Sequence, residues 1–243
     1  MSGFAGMMAS AKQPIAAPAG NTQTSLLLHG DGANNSTVIT DSSTYAMTVT
    51  SVGAVKNSTT TSKWGTASIY FDGASPYDYL TVPNTGERFT FGAGDFTVEG
   101  WAYPTSFAKT SILAAMWFPG NAAQCSWTIQ IVATTGRFNG YISTGATGFD
   151  ITGVSTAKAF TINTWNHWAI TRVGNVFTSY IGGIRAGTQT VAGTNPTSTA
   201  PLYIGYRESN NNFTGYMDDF RITKGTGLYS GATYTVPTAA FTG

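Results

Sequence analysis

Apolar residues along this chain recur at every second position, and spacings of three or four are nearly absent. In 95–103, Asp-Phe-Thr-Val-Glu-Gly-Trp-Ala-Tyr, Phe96, Val98 and Ala102 fall on one side of an extended backbone. Thr97, Glu99, Trp101 and Tyr103 fall on the other. Residues 165–173 alternate in the same way. Trp165, His167, Ala169, Thr171 and Val173 share one face, and Asn166, Trp168, Ile170 and Arg172 share the opposite one. The two tryptophans therefore point in opposite directions, one into a core and one onto an outer face or edge. Gly174-Asn175 followed by the apolar run 176–181 completes a hairpin, because that pair supplies the positive φ a tight turn needs. Gly182-Gly183 marks the next reversal. Further strand-like runs lie at 25–29, 45–51, 67–71, 78–82, 111–117, 126–132, 137–143, 159–162, 201–206 and 213–223. A dozen or so short strands without a crossover helix predict an all-β, antiparallel sandwich of two sheets. No linker divides 25–243, so one domain is expected there, and no repeat of fixed period is present.

Composition agrees with many strands joined by tight turns: 13% of the 243 residues are aromatic and 29 are glycine. Only 9% are charged and the net charge is +1, so the surface is made of Ser, Thr, Asn and Gly. Without a basic stripe, phosphate-driven nucleic-acid binding is not expected. No apolar run approaches the roughly 20 residues that span a bilayer, so no membrane insertion is expected. A single cysteine, Cys125, rules out an internal disulfide and a cysteine metal cluster, and it reads as a small buried apolar residue. In residues 1–24 the cation Lys12 follows a short, Gly-broken apolar stretch, which is not the order of a secretory signal. Pro14 and Pro18 favour extended backbone. Residues 1–24 thus read as an extended N-terminal arm for anchoring or assembly, with a floppy terminus as the alternative.

The hairpin "WNHWAITRVGNVFTSYIGG" resembles that of laminin-G-like, concanavalin A-like jelly rolls. Four more blocks agree in order: "ASIYFDGASPYDYLTVP" (67–83), "GDFTVEGWAYP" (94–104), "LYIGY" (202–206) and "FTGYMDDFRITKGTGLYSGATYTVPTAAF" (213–241). The resemblance covers about residues 25–241 and implies a two-sheet jelly roll, often a binder of carbohydrate or protein, sometimes with calcium, and usually not an enzyme. The blocks 25–43 and 229–241 look most like versions carried in tailed-bacteriophage genomes. That implies a virion structural protein assembled in the host cytoplasm, such as a capsid decoration, head-fibre or tail-associated component. Its partners would be other virion proteins through residues 1–24 and a cell-surface glycan, and its state a homo-oligomer, a trimer by family analogy. A carbohydrate-binding host-recognition module is the alternative, and a glycan-active enzyme a third.

The candidate chemistry is sparse. Retaining glycoside hydrolysis places two carboxyls roughly 5 Å apart, yet the only glutamates are Glu87, Glu99 and Glu208, none with a partner at that spacing. Adjacent Asp218 and Asp219 would face opposite sides of a regular strand. No G-x-S-x-G occurs, and the two histidines have no placed acid. No catalytic residue is therefore expected. Trp101, Trp165, His167, Trp168, Arg172, Asp218, Asp219 and Arg221 read as structural, with Glu99 and Asp218 or Asp219 satisfying backbone or arginine partners, such as Arg172 or Arg221, at strand ends. No cofactor is required. Calcium is the one metal considered, with Asp31 and Asp41 as candidate ligands among the loop oxygens, against Asx-turn chemistry as the plainer reading. A sugar site needs a ring to stack on and amides or carboxylates for hydroxyls. Two loops offer this: Trp117 with the segment to Gln124, and Tyr206, Arg207, Glu208, Asn210, Asn211 and Asn212.

Overall fold

A computed structural model describes the chain except residues 1–23, 75–77, 118–119, 122–123, 146–150 and 209–210, with backbone alone over 151–157. The N-terminal arm and Asn210 therefore lie outside the described residues, save that Thr24 already opens the first strand. Fifteen strands are present among the described residues. They are β1 (Thr24–Leu28), β2 (Thr50–Val52), β3 (Lys56–Ser58), β4 (Ser68–Phe71), β5 (Tyr79–Val82), β6 (Phe96–Pro104), β7 (Ser111–Met116) and β8 (Trp127–Ile131). They continue with β9 (Arg137–Ile142), β10 (Ile151–Ala159), β11 (Asn166–Val173), β12 (Val176–Ile181), β13 (Ile184–Thr190), β14 (Leu202–Ile204) and β15 (Gly215–Lys224).

The strands form two antiparallel sheets. One has eight strands in the order β13-β12-β11-β6-β15-β4-β3, with β1 added beside β15. The other has seven, β10-β9-β8-β7-β14-β5-β2. Their facing sides make one core that contains Phe71, Leu80, Phe96, Trp127, Phe138, Trp168, Ile204 and Phe220. Burying each of these side chains contributes about 1.5–3 kcal/mol. Alternation decides which side chains enter: Leu80, Val82, Leu202 and Ile204 face the core, so Tyr79, Thr81 and Tyr203 face out. The hairpin of β11 and β12 closes where Val173 meets Val176, with positive φ at Gly174 alone (57°), the pattern of a type II′ turn.

The structure departs from the sequence expectations in three places. The strand expected at 45–51 is reduced to β2, and the one expected at 159–162 lies earlier, as β10. Strands β3 and β13 were not expected, because Lys-Asn-Ser and Ile-Arg-Ala-Gly-Thr-Gln-Thr carry almost no apolar alternation. The third departure is in β15. Met217 and Phe220 both enter the core although three residues apart, and the pairing with β6 shifts between Asp218 and Arg221. This is a β-bulge, with Asp219 at φ 48°. Asp218 and Asp219 therefore both lie on the outer face, instead of on opposite sides.

That outer face of the eight-stranded sheet is partly roofed by residues 225–243. Tyr234 N–H donates to the Gly183 carbonyl, the Tyr180 hydroxyl to the Gly231 carbonyl and the Thr171 hydroxyl to the Tyr229 carbonyl. The return leg is held where Phe241 N–H donates to Asp219 Oδ2 at 2.8 Å.

Candidate functional site

Three groups of polar and aromatic side chains stand out, and two of them are closed. Beneath the C-terminal roof, Glu99 Oε1 accepts from Arg221 Nε at 3.0 Å and Nη2 at 2.6 Å, while Oε2 accepts from the Tyr229 hydroxyl at 2.6 Å. His167 Nδ1 lies 2.6 Å from the Tyr234 hydroxyl, and its Nε2 lies 3.5 Å from Glu99. Phe241 seals the group by placing its ring 4.0 Å from the Arg221 guanidinium. Burial alone would raise the Glu99 carboxyl, but Arg221, His167 and Tyr229 outweigh it and hold the group below the usual carboxylate range. Burial, followed by the Glu99 charge, pushes the Tyr229 phenol far up. Glu99, Arg221 and His167 are all buried, so this cluster is a structural tie between β6, β11, β15 and the C-terminal segment. The pairing sits mid-strand, not at a strand end. Arg172 is buried as well, and its guanidinium donates to the carbonyls of Gly174, Gly92 and Gly193 at one end of the core.

The second group surrounds the bulge. His29 Nδ1 lies 2.5 Å from Asp219 Oδ1, and this hydrogen bond, against the opposing effect of burial, raises the imidazole above its ordinary value. Asp218 Oδ2 accepts from the backbone N–H groups of Lys63 and Trp64, at 2.8 and 3.1 Å. Burial still pushes the Asp218 carboxyl up to about 7. The candidate calcium ligands do not assemble a calcium donor set. Asp41 accepts four hydrogen bonds, from the backbone of Leu27, Ser43 and Met47 and from the Ser43 hydroxyl. Asp31 accepts from the backbone of Thr66 and Ala67, which requires glycine at 65, where a Cβ would fall 2.1 Å from Asp31 Oδ1. The two carboxylates serve separate segments, and no cluster of three or more His, Cys, Asp or Glu occurs among the described residues. Calcium asks for six to eight oxygens. Cys125 is buried, and its thiol lies 3.4 Å from the Asn121 carbonyl.

The third group is open and lies on the outer face of the seven-stranded sheet. Tyr79 of β5, Tyr203 of β14 and Tyr206 form a ring cluster, all partly exposed. Tyr79 stacks on Tyr206 with centroids 5.1 Å apart, and Tyr203 packs edge-on against Tyr79 at 5.5 Å. Position 206 is set by Gly205, whose φ of 87° turns the chain and whose missing side chain leaves room for the Phe71 ring. The 206–212 loop closes where Phe213 N–H donates to the Gly205 carbonyl. Arg207 extends over the Trp117 ring, 4.6 Å from its centroid, and pairs with Glu208 at 3.2 Å. The two loops singled out in the sequence therefore converge at Trp117, Tyr206, Arg207 and Glu208. Asn212 is not presented to solvent: it is fully buried, because Ile112 N–H holds the Asn211 carbonyl and Phe213 dives into the core behind it.

The register extends this cluster across the sheet. Thr81, Tyr203, Ala115, Thr128 and Tyr141 lie in one cross-strand row. Ala115 and Thr128, in the middle of the row, are fully buried, so the partly exposed Tyr203 and Tyr141 are separated by covered sheet. Beside Tyr141, Gln130 Nε2 and Asn139 Nδ2 reach its hydroxyl at 3.3 and 3.2 Å. Thr128 Oγ1 and Asn139 Oδ1 are buried with no hydrogen-bond partner among the described residues. Sequence reading missed Tyr79, Tyr203, Tyr141, Gln130 and Asn139. Alternation alone would have put each on an outer face, but not side by side. A separate cleft of about 670 Å3 lies between the 83–87 and 197–201 loops, which Asn84 Nδ2 ties by donating to the Ser198 carbonyl, while Gln124 Oε1 accepts from Thr199. It has no aromatic ring in its lining, so it offers a sugar nothing to stack on.

Comparison with known proteins places these features in a family context. A family model described as "Concanavalin A-like lectin/glucanases superfamily" matches residues 72–226. Comparison with curated proteins gives no match. Among solved structures, the binding domain of Paraclostridial Mosquitocidal Protein 1 superposes with a TM-score of 0.66 at 16% identity, over 85% of this chain and 50% of that one. Domain 4 of AbnA, a GH43 extracellular arabinanase from Geobacillus stearothermophilus solved with arabinotriose, gives 0.63 at 17%, over 85% of this chain and 94% of that domain. The binding domain of Botulinum neurotoxin DC, solved with rat synaptotagmin II, gives 0.62 at 14%, over 85% and 49%. The chain thus spans about half the length of the toxin binding domains it matches.

Proposed function

As the chain belongs to the concanavalin A-like lectin/glucanase superfamily, we propose that it is a non-enzymatic, lectin-like adhesion domain that binds carbohydrate on the outer face of its seven-stranded sheet. The observation that carries this reading is the partly exposed ring cluster Tyr79, Tyr203 and Tyr206, followed in the chain by Arg207 and Glu208. Partly exposed rings supply faces for sugar rings. Arg207 and Glu208 supply donors and acceptors for hydroxyls, the combination that fixes orientation in a mostly apolar site. Among neighbours of the same fold, the arabinanase domain was solved with arabinotriose, which favours a glycan as the ligand class.

Bond cleavage is disfavoured by what surrounds the carboxylates. Glu99 is buried with both oxygens engaged, and Asp218 and Asp219 are held by backbone N–H groups and His29. Glycoside hydrolysis works with two carboxyls flanking the bond, and Glu208, the carboxylate at the proposed site, is paired with Arg207.

The setting we propose is the surface of a tailed-bacteriophage particle, with the domain displayed outward and residues 1–24 as its anchor. This rests on the phage-like blocks 25–43 and 229–241, and the latter is the strap that roofs the eight-stranded sheet. A glycan array probed with wild-type protein and with Tyr203→Ala/Tyr206→Ala tests the binding site. The reading expects a defined set of glycans whose signal falls at least about tenfold in the variant, as for loss of a central contact worth about 1.4 kcal/mol. Binding that the variant leaves intact would refute the site.

A further inference from the structure

The outer face of the eight-stranded sheet is only half covered. Where the C-terminal strap crosses it, the face is sealed by Tyr229, Tyr234 and Phe241. Beyond the strap, the register lines up a second set of aromatic residues. Tyr70 of β4 pairs with Tyr216 of β15, and Tyr216 pairs with Tyr103 of β6. Trp165 immediately precedes Asn166, which pairs with Ala102, so it continues the row beside Tyr103. The ring centroids are 5.0, 5.9 and 5.6 Å apart in turn. Inward neighbours Ile69, Phe71, Met217 and Ala102 belong to the core, so the four rings face outward, and all four are partly exposed. Lys56 stands across from Tyr70 at one end, and Trp165 is fixed at the other by donating to the Thr61 hydroxyl at 3.3 Å.

We propose that this row, Tyr70–Tyr216–Tyr103–Trp165, is a second carbohydrate-contact surface, crossed by an extended neutral glycan running perpendicular to the strands. The proposal takes its ligand class from the reading above but none of its residues. Three features select a glycan. The rings follow one another at 5.0, 5.9 and 5.6 Å, the same order as one sugar ring with its linkage. Three of the four carry a phenolic hydroxyl, suited to a hydroxyl-rich chain. The area is also small: a buried aromatic covers about 150–250 Å2, so four partly exposed rings offer on the order of 200 Å2, well under the roughly 800 Å2 per partner of a stable protein interface. With one surface on each sheet, the domain would be bivalent and would cross-link or retain polymeric ligands beyond the affinity of either surface.

Affinity electrophoresis of the full chain in native gels containing arabinan, xylan, galactomannan or mixed-linkage β-glucan tests this. The samples are wild type, Tyr103→Ala/Tyr216→Ala, Trp165→Ala, Tyr203→Ala/Tyr206→Ala and the combined quadruple variant, each checked for native near-ultraviolet circular dichroism. The expected result is retardation of wild type, partial retardation of each double variant and none of the quadruple variant, with Trp165→Ala raising the Kd at least about threefold, in line with loss of one aromatic contact. Trp165→Ala keeps the test decisive should the row double variant misfold, because Trp165 lies outside any strand. Retardation unchanged in both row variants overturns the proposal, as does complete loss in Tyr203→Ala/Tyr206→Ala. Loss in the row variants alone upholds the row and defeats the seven-stranded-sheet site. No retardation of wild type in any gel overturns both. A dimer seen by light scattering that the row variants dissolve, without change in retardation, would assign the row to self-association and overturn the proposal.

Discussion

At the scale of single residues, the molecule is held by polar groups that its sequence gave little reason to connect. Glu99 and Arg221 are adjacent across β6 and β15 because both strands alternate in phase, and Tyr229 and His167 complete their hydrogen bonds. Removing one member of a buried ion pair leaves the other charge uncompensated, at a cost of about 3–5 kcal/mol. Glu99→Ala should lower unfolding stability by that order, read from the denaturation midpoint in urea. A loss below about 1 kcal/mol would mean the pair is no more than a surface ion pair. The Asp218 carboxyl makes a separate prediction. Its value in the folded state, about 7, lies above its ordinary value of 3.8. The folded state therefore binds the proton more tightly, so the contribution of Asp218 is fully present below about pH 4 and is lost as pH rises toward 7. His29, raised by Asp219, acts in the same direction above its ordinary value. Thermal melts of Asp218→Asn should show a flatter decline than wild type between pH 4 and 8, with the greatest relative gain at the alkaline end. Parallel wild-type and variant curves would contradict the assignment.

At the scale of elements, the strap 225–243 is the least conventional part of the sandwich. It buries a sheet face that would otherwise present Glu99, Arg221 and His167 to water, and Phe241 is its one fully buried anchor. Phe→Ala at a buried site costs about 3–5 kcal/mol. Phe241→Ala should therefore release the return leg and lower amide-exchange protection in β6, β11 and β15 more than in β7–β9. Uniform loss of protection, or none, would count against the strap as a distinct stabilising element. The strands β6 and β11 were legible from their alternating pattern, and β12 and β15 from apolar and aromatic residues bounded by glycine turns. The segments 45–51 and 159–162 misled because isolated Tyr, Val and Ile residues mimic strands where turns in fact run. Strands β3 and β13 were illegible, since their three- and seven-residue runs owe their extension to neighbours and not to their own pattern. The bulge at Asp219 was hidden for a related reason: a positive φ at an aspartate leaves no mark in the order of residues.

At the scale of the whole molecule, the two-sheet architecture followed from periodicity, and the ordered blocks pointed to the family that now accommodates residues 72–226. Half of the candidate site was visible in the same way. Trp117 and the 206–208 loop were found as loop aromatics and they do meet, whereas Tyr79 and Tyr203 come together only through the pairing of β5 with β14, which no local pattern encodes. If residues 1–23 anchor the domain in a particle, deleting them should abolish a trimer seen by light scattering and leave the melting temperature of the sandwich unchanged. An unchanged mass would contradict the anchor. The central claim, adhesion through the tyrosine-lined face of the seven-stranded sheet, is tested most directly by isothermal titration of a glycan array hit into wild type and Tyr203→Ala/Tyr206→Ala. The account predicts saturable binding without product release, weakened at least about tenfold by the double substitution. Equal affinity in the two proteins, or a shortened glycan recovered from the cell, would contradict it.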